Sequence, residues 1–249
     1  MGVVGSRVAA RDASCVPLGV ERSLLFRGLD PAVVQGVVER ARRRTFGQGE
    51  MVFHEGDPGD SMQVVARGHL ACELTTREGE SCMFRVYAPG DVFGRLSVAP
   101  LEAVRSMSIV SLDQSETFEL FRAQLDELRT AYPVVNDTLL GMAGLEMRRL
   151  AERLVEVMFV DADRRVRRRL LELGDQYRDP DTGLTVIPLT QDQIAQLAAT
   201  SRLTVGRVLG QEQRRGTIVK RRRTIALLDA EGLSRAAGWP QDSVPAALR

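Results

Sequence analysis

Between Thr45 and Leu120 a glycine recurs at near-regular intervals, at Gly49, Gly56, Gly59, Gly68, Gly79, Gly90 and Gly94. Between and after them lie short apolar runs: Met51-Val52-Phe53, Met62 to Val65, Ala71 to Leu74, Cys82 to Val86, and Ser106 to Leu112. Short runs cut by turn residues at this spacing predict an antiparallel, jelly-roll-like β-roll. Glu55-Gly56-Asp57-Pro58-Gly59-Asp60 is a tight turn in its own right. His54 and His69 sit at its edge and in a turn, and read as surface polar residues. No His, Cys or acidic set has metal-ligand spacing, so no metal is expected. Cys15, Cys72 and Cys82 are scattered with no CxxC pair. That spacing argues against zinc, iron–sulfur and disulfide frameworks.

A chain of 249 residues has room for more than this roll. Residues 1–22 read as a lead-in, 23–130 as the β-roll domain, 131–160 as a long helix, 161–233 as a second domain and 234–249 as a tail. Met1 to Ser6 fits a myristoylation pattern too loosely to carry weight. Asp30-Pro31 starts a helix, Asp as cap and Pro at the first position. Val33, Val34, Val37, Val38 and Ala41 then repeat at helical spacing, and Arg42-Arg43-Arg44 reads as its solvated basic end. Helix returns near Val134, with a stripe of Leu139, Met142, Leu145, Leu150, Leu154 and Val157. The small residues Gly141, Ala143 and Gly144 let another backbone come close, so this helix is expected to pack on its own domain and on a second copy. Asp161-Ala162-Asp163 is a candidate hinge, with Asp163 as cap of a helix from Arg164 to Gly174.

The most specific pattern follows a short strand at Leu184 to Ile187. Thr190 caps a helix over Gln191 to Leu197, Ala199-Thr200-Ser201 forms a turn, and Ser201 caps a second helix. Val205, Val208 and Leu209 face inward on that helix, which leaves Arg202, Leu203, Thr204 and Arg207 outward. Two short helices around a tight turn, with outward Arg and Thr at the second N-terminus, form a helix-turn-helix. Thr217 to Val219 and Thr224 to Leu227 then flank Lys220-Arg221-Arg222-Arg223 as a basic wing. From Leu189 to Leu228 eight Lys/Arg stand against two Asp/Glu, a local charge of +6 in a chain whose total is +1. That asymmetry marks double-stranded DNA as the expected partner.

Ala88 to Ile109 reads as an anion cradle. Gly94 lets backbone approach a ligand, a turn over residues 95–98 would aim N–H groups at an anion, and Arg105 and Ser106 offer a guanidinium fork and a hydroxyl. The candidate set here is Phe93, Gly94, Arg95, Leu96, Arg105 and Ser106.

The order of β-roll, cradle, long helix, hinge and winged helix resembles the Crp–Fnr family of bacterial transcription regulators. The likeness runs from about Leu24 to Leu233. It is carried by Gly56-Asp57-Pro58-Gly59-Asp60, Pro89 to Gly94, Arg105-Ser106, Phe159-Val160-Asp161, Ser201-Arg202 and Thr204-Val205-Gly206-Arg207. The resemblance implies an α+β fold, a homodimer joined by the long helix, and a DNA-reading domain. It implies that Arg202 and Arg207 reach base edges, while Thr190, Ser201 and Lys220 hold phosphates, with Gln191, Leu203 and Thr204 on the same face.

Three positions depart from the family pattern. Cyclic-AMP-binding relatives place Glu after Phe-Gly, where this chain has Arg95. The adenine-reading polar pair falls on Leu150 and Ala151, neither of which can hydrogen-bond a base. Leu203 stands where many relatives have Glu. A nucleotide or other anionic effector is therefore expected in place of cyclic AMP, and the DNA site should differ where Leu203 lies. The alternatives are an effector-independent DNA-binding regulator with a relic cradle and, more remotely, a nucleotide-sensing regulatory subunit. No P-loop, GxSxG or HExxH motif is present, so no enzyme is expected. A cytoplasmic location, no membrane contact, and RNA polymerase as partner of an activating form complete the expectations.

Overall fold

The computed structural model describes residues 16–79, 81–95 and 104–238. Met1 to Ser6, Cys15, Leu96, the expected turn beyond residue 95, and the tail from Trp239 onward lie outside the described residues. After a short helix α1 (Leu18–Glu21) and a 3-10 turn at Leu24–Phe26, α2 spans Pro31–Arg40. The Asp30 carboxylate accepts the Ala32 N–H at 2.8 Å and Pro31 opens the helix. Asp30 thus satisfies one of the donors that a helix start leaves open.

The basic run behaves differently from its expected place. Ala41 turns to an extended ψ of 147°, and Arg42–Phe46 becomes strand β1. It pairs antiparallel with β8 (Ser115–Phe121), whose carboxylates meet the run. Arg43 bonds Glu116 at 2.7 Å, and Arg42 and Arg44 each lie 3.9 Å from Glu119. Cross-strand charge complementarity and an edge position suited to arginine explain a strand here.

The remaining roll strands are β2 (Met51–Phe53), β3 (Ser61–Arg67), β4 (Leu70–Thr75), β5 (Ser81–Tyr87), β6 (Val92–Phe93) and β7 (Ser108–Ser111). They form two antiparallel four-stranded sheets, ordered β1-β8-β3-β6 and β2-β7-β4-β5. The fold is α+β, with the jelly-roll-like core that the glycine spacing predicts. β3 is buried on both faces because it serves two cores. Met62, Val64 and Ala66 pack with Leu25, Val37 and Leu125 of the helices, while Val65 joins Phe46, Tyr87 and Phe93 inside the roll. Alternation of side chains along a strand makes that division.

α3 (Arg122–Ala131) leads into the long α4 (Val134–Phe159). Only the first part of its stripe is used internally. Val135 and Met142 are buried, whereas Leu145, Leu150, Leu154 and Val157 are exposed, as are Leu140, Met147, Val155, Met158 and Phe159.

α5 (Ala162–Gln176) follows. Asp161 takes the position before this helix, and Asp163 lies in its first turn and does not cap it. Ion pairs cross the expected hinge: Glu156 to Arg168 at 2.8 Å and to Arg169, and Glu172 to Arg153 at 2.8 Å, while within α5 Glu172 also meets Arg169 at 2.8 Å. β9 (Thr185–Ile187), β10 (Ile218–Arg221) and β11 (Thr224–Leu227) form the wing sheet in the order β10-β11-β9. α6 (Gln191–Leu197) and α7 (Arg202–Arg215) lie between β9 and β10, and α8 (Ala230–Ala237) closes the domain.

The helical domain packs on the roll. Ala71, Met83, Val86 and Leu112 share one apolar cluster with Leu170, Ile194 and Leu197. His69, expected at the surface, lies in this contact with only 13 % of its side chain exposed. Its Nδ1 meets Asp113 Oδ2 at 2.7 Å and its Nε2 meets the Gln176 carbonyl at 3.2 Å, and the ring stacks 3.7 Å from Tyr177. Burial raises the Asp113 pKa, but the His69 bonds outweigh it and hold the carboxyl below its usual value.

Candidate effector pocket and nucleic-acid interface

A cavity of about 580 Å³ lies between the roll and the face of α3 and α4. Gly94, with φ +77°, forms part of its wall. A Cβ on Gly94 would stand 2.7 Å from Arg105 Nη1 and 3.1 Å from the Ser61 carbonyl, so the close approach requires glycine. Arg105 is buried and donates to the Ser61 carbonyl at 2.5 Å and to Ser61 Oγ at 2.8 Å. Its guanidinium lies 4.2 Å from the Phe53 ring centroid. Burial draws the Arg105 pKa below its usual value, partly offset by Glu119. Ser106 is exposed at the rim, and Phe93 is buried beneath it, tilted against Phe53 and Tyr87.

The cavity therefore gathers Phe93, Gly94, Arg95, Arg105, Ser106 and Leu150. Leu96 lies outside the described residues, and Ala151 is not among the lining residues. Arg95 Nη2 sits 3.6 Å from Glu146 Oε2 on α4, and Arg85 bonds the same oxygen at 2.5 Å and Asp91 at 2.7 Å. Burial lowers the Arg85 pKa, but Asp91, Tyr87 and Glu146 outweigh it and hold it above its usual value. Cys72 also lines the cavity, its thiol pushed up to about 12 by burial, which keeps it an inert neutral group. Replacing Gly94 by Ala is expected to cost about 1–2 kcal/mol, since the left-handed backbone penalises a Cβ. The contact should also displace Arg105. Urea unfolding measures the first effect.

On the helical domain the local chemistry follows the expected caps. Thr190 Oγ1 accepts the Gln193 N–H at 3.2 Å while Gln193 Oε1 accepts the Thr190 N–H at 2.9 Å. Ser201 Oγ accepts the Thr204 N–H at 3.2 Å. A Cβ on Gly206 would lie 3.2 Å from Gln191 Oε1, which brings α6 and α7 together there. Arg202 and Leu203 project from the start of α7, Leu203 being 84 % exposed, and Lys220 is exposed on β10. Gly216, at φ 76°, ends α7 in the left-handed conformation and turns the chain into the wing.

Two acidic residues meet the basic ones: Asp163, expected only at the hinge, and Asp192, absent from the expected set. Arg207 is engaged: Nη1 donates to Asp163 Oδ2 at 2.8 Å and Nη2 to Asp163 Oδ1 at 2.6 Å. Arg202 lies 3.3 Å from Asp192, with both side chains well exposed. Glu146 carried a usable signal, since it precedes Leu150 by four residues and so shares its face of α4. Asp163 carried none as a partner of Arg207.

A jelly-roll-like β-roll with an anion-suited pocket, joined by a long helix to a winged helix-turn-helix, defines a two-domain DNA-binding transcription regulator. Residues 43–132 match the model of the cyclic nucleotide-binding domain and residues 164–236 that of the Crp-like helix-turn-helix domain. The chain belongs to the CRP/FNR family of transcription regulators. It is 32% identical over 187 residues to the cyclic AMP receptor protein of Thermus thermophilus, covering 75% of this chain and 84% of that protein. It is 27% identical over 218 residues to the CRP-like cAMP-activated global transcriptional regulator of Mycobacterium tuberculosis, covering 87% and 97%. In fold it matches FixK2 from Bradyrhizobium japonicum with a TM-score of 0.69 at 20% identity, covering 78% of this chain and 96% of that one. Family members are regulators, not enzymes. Among the described residues no helix is long and apolar enough to cross a membrane.

Proposed function

We propose that this regulator acts as a homodimer joined through α4, and that its pocket binds an anionic effector other than cyclic AMP. Arg202 and Arg207 read base edges, Leu203 contacts an apolar group such as a thymine methyl, and Thr204 and Gln191 line the same face. Thr190, Ser201 and Lys220 hold phosphates, the hinge at Asp161 and Asp163 sets the spacing of the two α7 helices, and RNA polymerase is the partner of an activating form. The pocket wall carries the effector part of this reading. Gly94, Arg105 and Ser106 suit an anion, whereas Arg95 places a cation where the relatives have an acid, and Leu150 and Ala151 cannot pair with a base edge. The row of exposed apolar residues on α4, from Leu145 to Phe159, supports the dimer, because lone soluble chains seldom leave such a face open.

A second reading, effector-independent DNA binding, is favoured by the Arg95–Glu146 pair and the Arg105–Ser61 bonds, which give both guanidinium groups partners within the protein. DNA-site selection with the pure protein, at fixed salt and with and without cyclic AMP, tests the whole proposal. The expected product is a two-half-site element with centres about one DNA turn apart, and cyclic AMP should leave its affinity unchanged. Sub-micromolar binding of cyclic AMP by calorimetry overturns the effector assignment, and a single selected half-site overturns the dimer.

A further inference from the structure

The pocket has two chemically distinct ends. The roll supplies three cations: Arg105, stacked over Phe53 and tied to Ser61, and Arg95 and Arg85, which both reach Glu146 of α4. At the α4 end the wall is aliphatic, built by Leu139, Leu140, Ala143, Met147 and Leu150. Those positions follow the helical repeat, so they form one apolar strip, interrupted by Glu146 where Arg95 and Arg85 reach it. The polar amide nearest the strip is Asn136, and its oxygen already accepts from Arg129 Nε at 2.6 Å. A purine or pyrimidine carries several edge donors and acceptors, each of which must be paired when it leaves water. Apart from Glu146 and the Asn136 amide nitrogen, this wall offers them aliphatic carbon. An aliphatic or aromatic hydrocarbon body, by contrast, gains from the same burial. The volume of about 580 Å³ lies in the range of small-molecule sites and exceeds what an inorganic anion needs.

Resting on the reading above that the effector is an anion, we infer that it is an amphipathic one. Its head is a carboxylate or phosphate monoester beside Arg95 and Arg105, and its apolar body lies along Leu139, Ala143, Met147 and Leu150. Arg105 is the head-group ligand, presented by its stack on Phe53, and Gly94 leaves the room that lets the guanidinium stand against the roll backbone. Glu146 already neutralises Arg95, so the bound head adds a negative charge beside a carboxylate of α4. Ligand entry is thereby felt at the long helix and not only inside the roll.

The test is calorimetric titration of the full chain with decyl phosphate, kept below its micellar concentration. Inorganic phosphate, decanol and cyclic AMP serve as separate arms. Decyl phosphate should bind at least about tenfold tighter than any of the three. Two variants separate the ends of the site: Arg105→Ala removes the head-group cation, and Ala143→Trp fills the apolar strip from an exposed position on α4. Each should weaken decyl phosphate by about tenfold or more, with circular dichroism and thermal unfolding checking that the variant is folded. Arg105→Lys, which keeps the charge, should recover part of the loss. Tighter binding of cyclic AMP than of decyl phosphate overturns both the amphipathic class and the exclusion of cyclic AMP. Equal binding of decanol and decyl phosphate removes the anionic head and overturns the proposal. Decyl phosphate binding that is unchanged in Ala143→Trp places the ligand elsewhere and also overturns it. Failure of decyl phosphate while another nucleotide binds rejects the amphipathic class and leaves the anionic-effector reading standing. Failure of every anion rejects both.

Discussion

Replacing Glu212 with alanine is expected to destabilise the DNA-binding domain by about 3–5 kcal/mol, the loss that follows when one partner of a buried ion pair is removed. Glu212 is fully buried near the end of α7. Its Oε1 accepts from Arg167 Nε at 2.8 Å and from Arg215 Nη1 at 2.9 Å, and its Oε2 accepts from Thr217 Oγ1 at 2.9 Å. The carboxylate thus ties α5, α7 and the first wing strand at one point. Alanine would leave Arg167 buried without its counter-charge, next to only the neutral Gln211 side chain at 2.9 Å. Glutamine keeps the shape and some of the bonds but not the charge, and should cost less. Chemical denaturation of the full chain checks both. A loss under about 1 kcal/mol for alanine would mean that water reaches Arg167 and restores its solvation.

On the proposed DNA-reading role, Arg207→Ala is expected to weaken specific DNA binding by about 1–3 kcal/mol, the worth of a bidentate base contact. That is roughly 5- to 150-fold in Kd. The opposite change is expected for Asp163→Asn. In the structure Asp163 holds both terminal nitrogens of Arg207, the same pair a guanine would use. DNA must therefore break this ion pair before Arg207 can reach a base. A pair this exposed, with 55 % of the Arg207 side chain accessible, is worth about 0.2–1 kcal/mol. Asp163→Asn should accordingly tighten binding by up to about fivefold, and relieve repulsion between Asp163 and the phosphates. Fluorescence anisotropy with the selected element at one salt concentration measures both variants. Weaker binding by Asp163→Asn would show that Asp163 aims Arg207 at the DNA and does not restrain it.

Much of the architecture was legible because it is written in local patterns. The turn glycines space the strands of the roll, and Asp30-Pro31, Thr190 and Ser201 begin helices at the residues their chemistry favours. Each of those signals needs only three or four neighbouring residues. The Arg42–Arg44 run misled because a basic triplet suits a helix end as well as an edge strand. The acids that decide between them, Glu116 and Glu119, lie more than 70 residues further along the chain. His69 misled for a related reason. A His in a turn is usually solvated; its partner Asp113 comes from 44 residues away in the roll, and only the docking of the helical domain supplies Gln176 and Tyr177.

The sequence alone determined the fold class, the winged helix-turn-helix, the basic asymmetry that points to DNA, and the replacement of an acid by Arg95 in the pocket. The first three follow from residue type and from spacing along the chain, and the last from the resemblance to the family. Only the tertiary structure decided what the cations meet. Arg95 and Arg85 converge on Glu146, Arg105 is held by Ser61, and Arg207 is held by Asp163 from 44 residues away. A charge at the surface or in a cleft takes its partner from whatever the folded chain brings within a few ångströms. Coulombic attraction depends on that distance and on local burial, and neither has a periodicity that can be read along the chain.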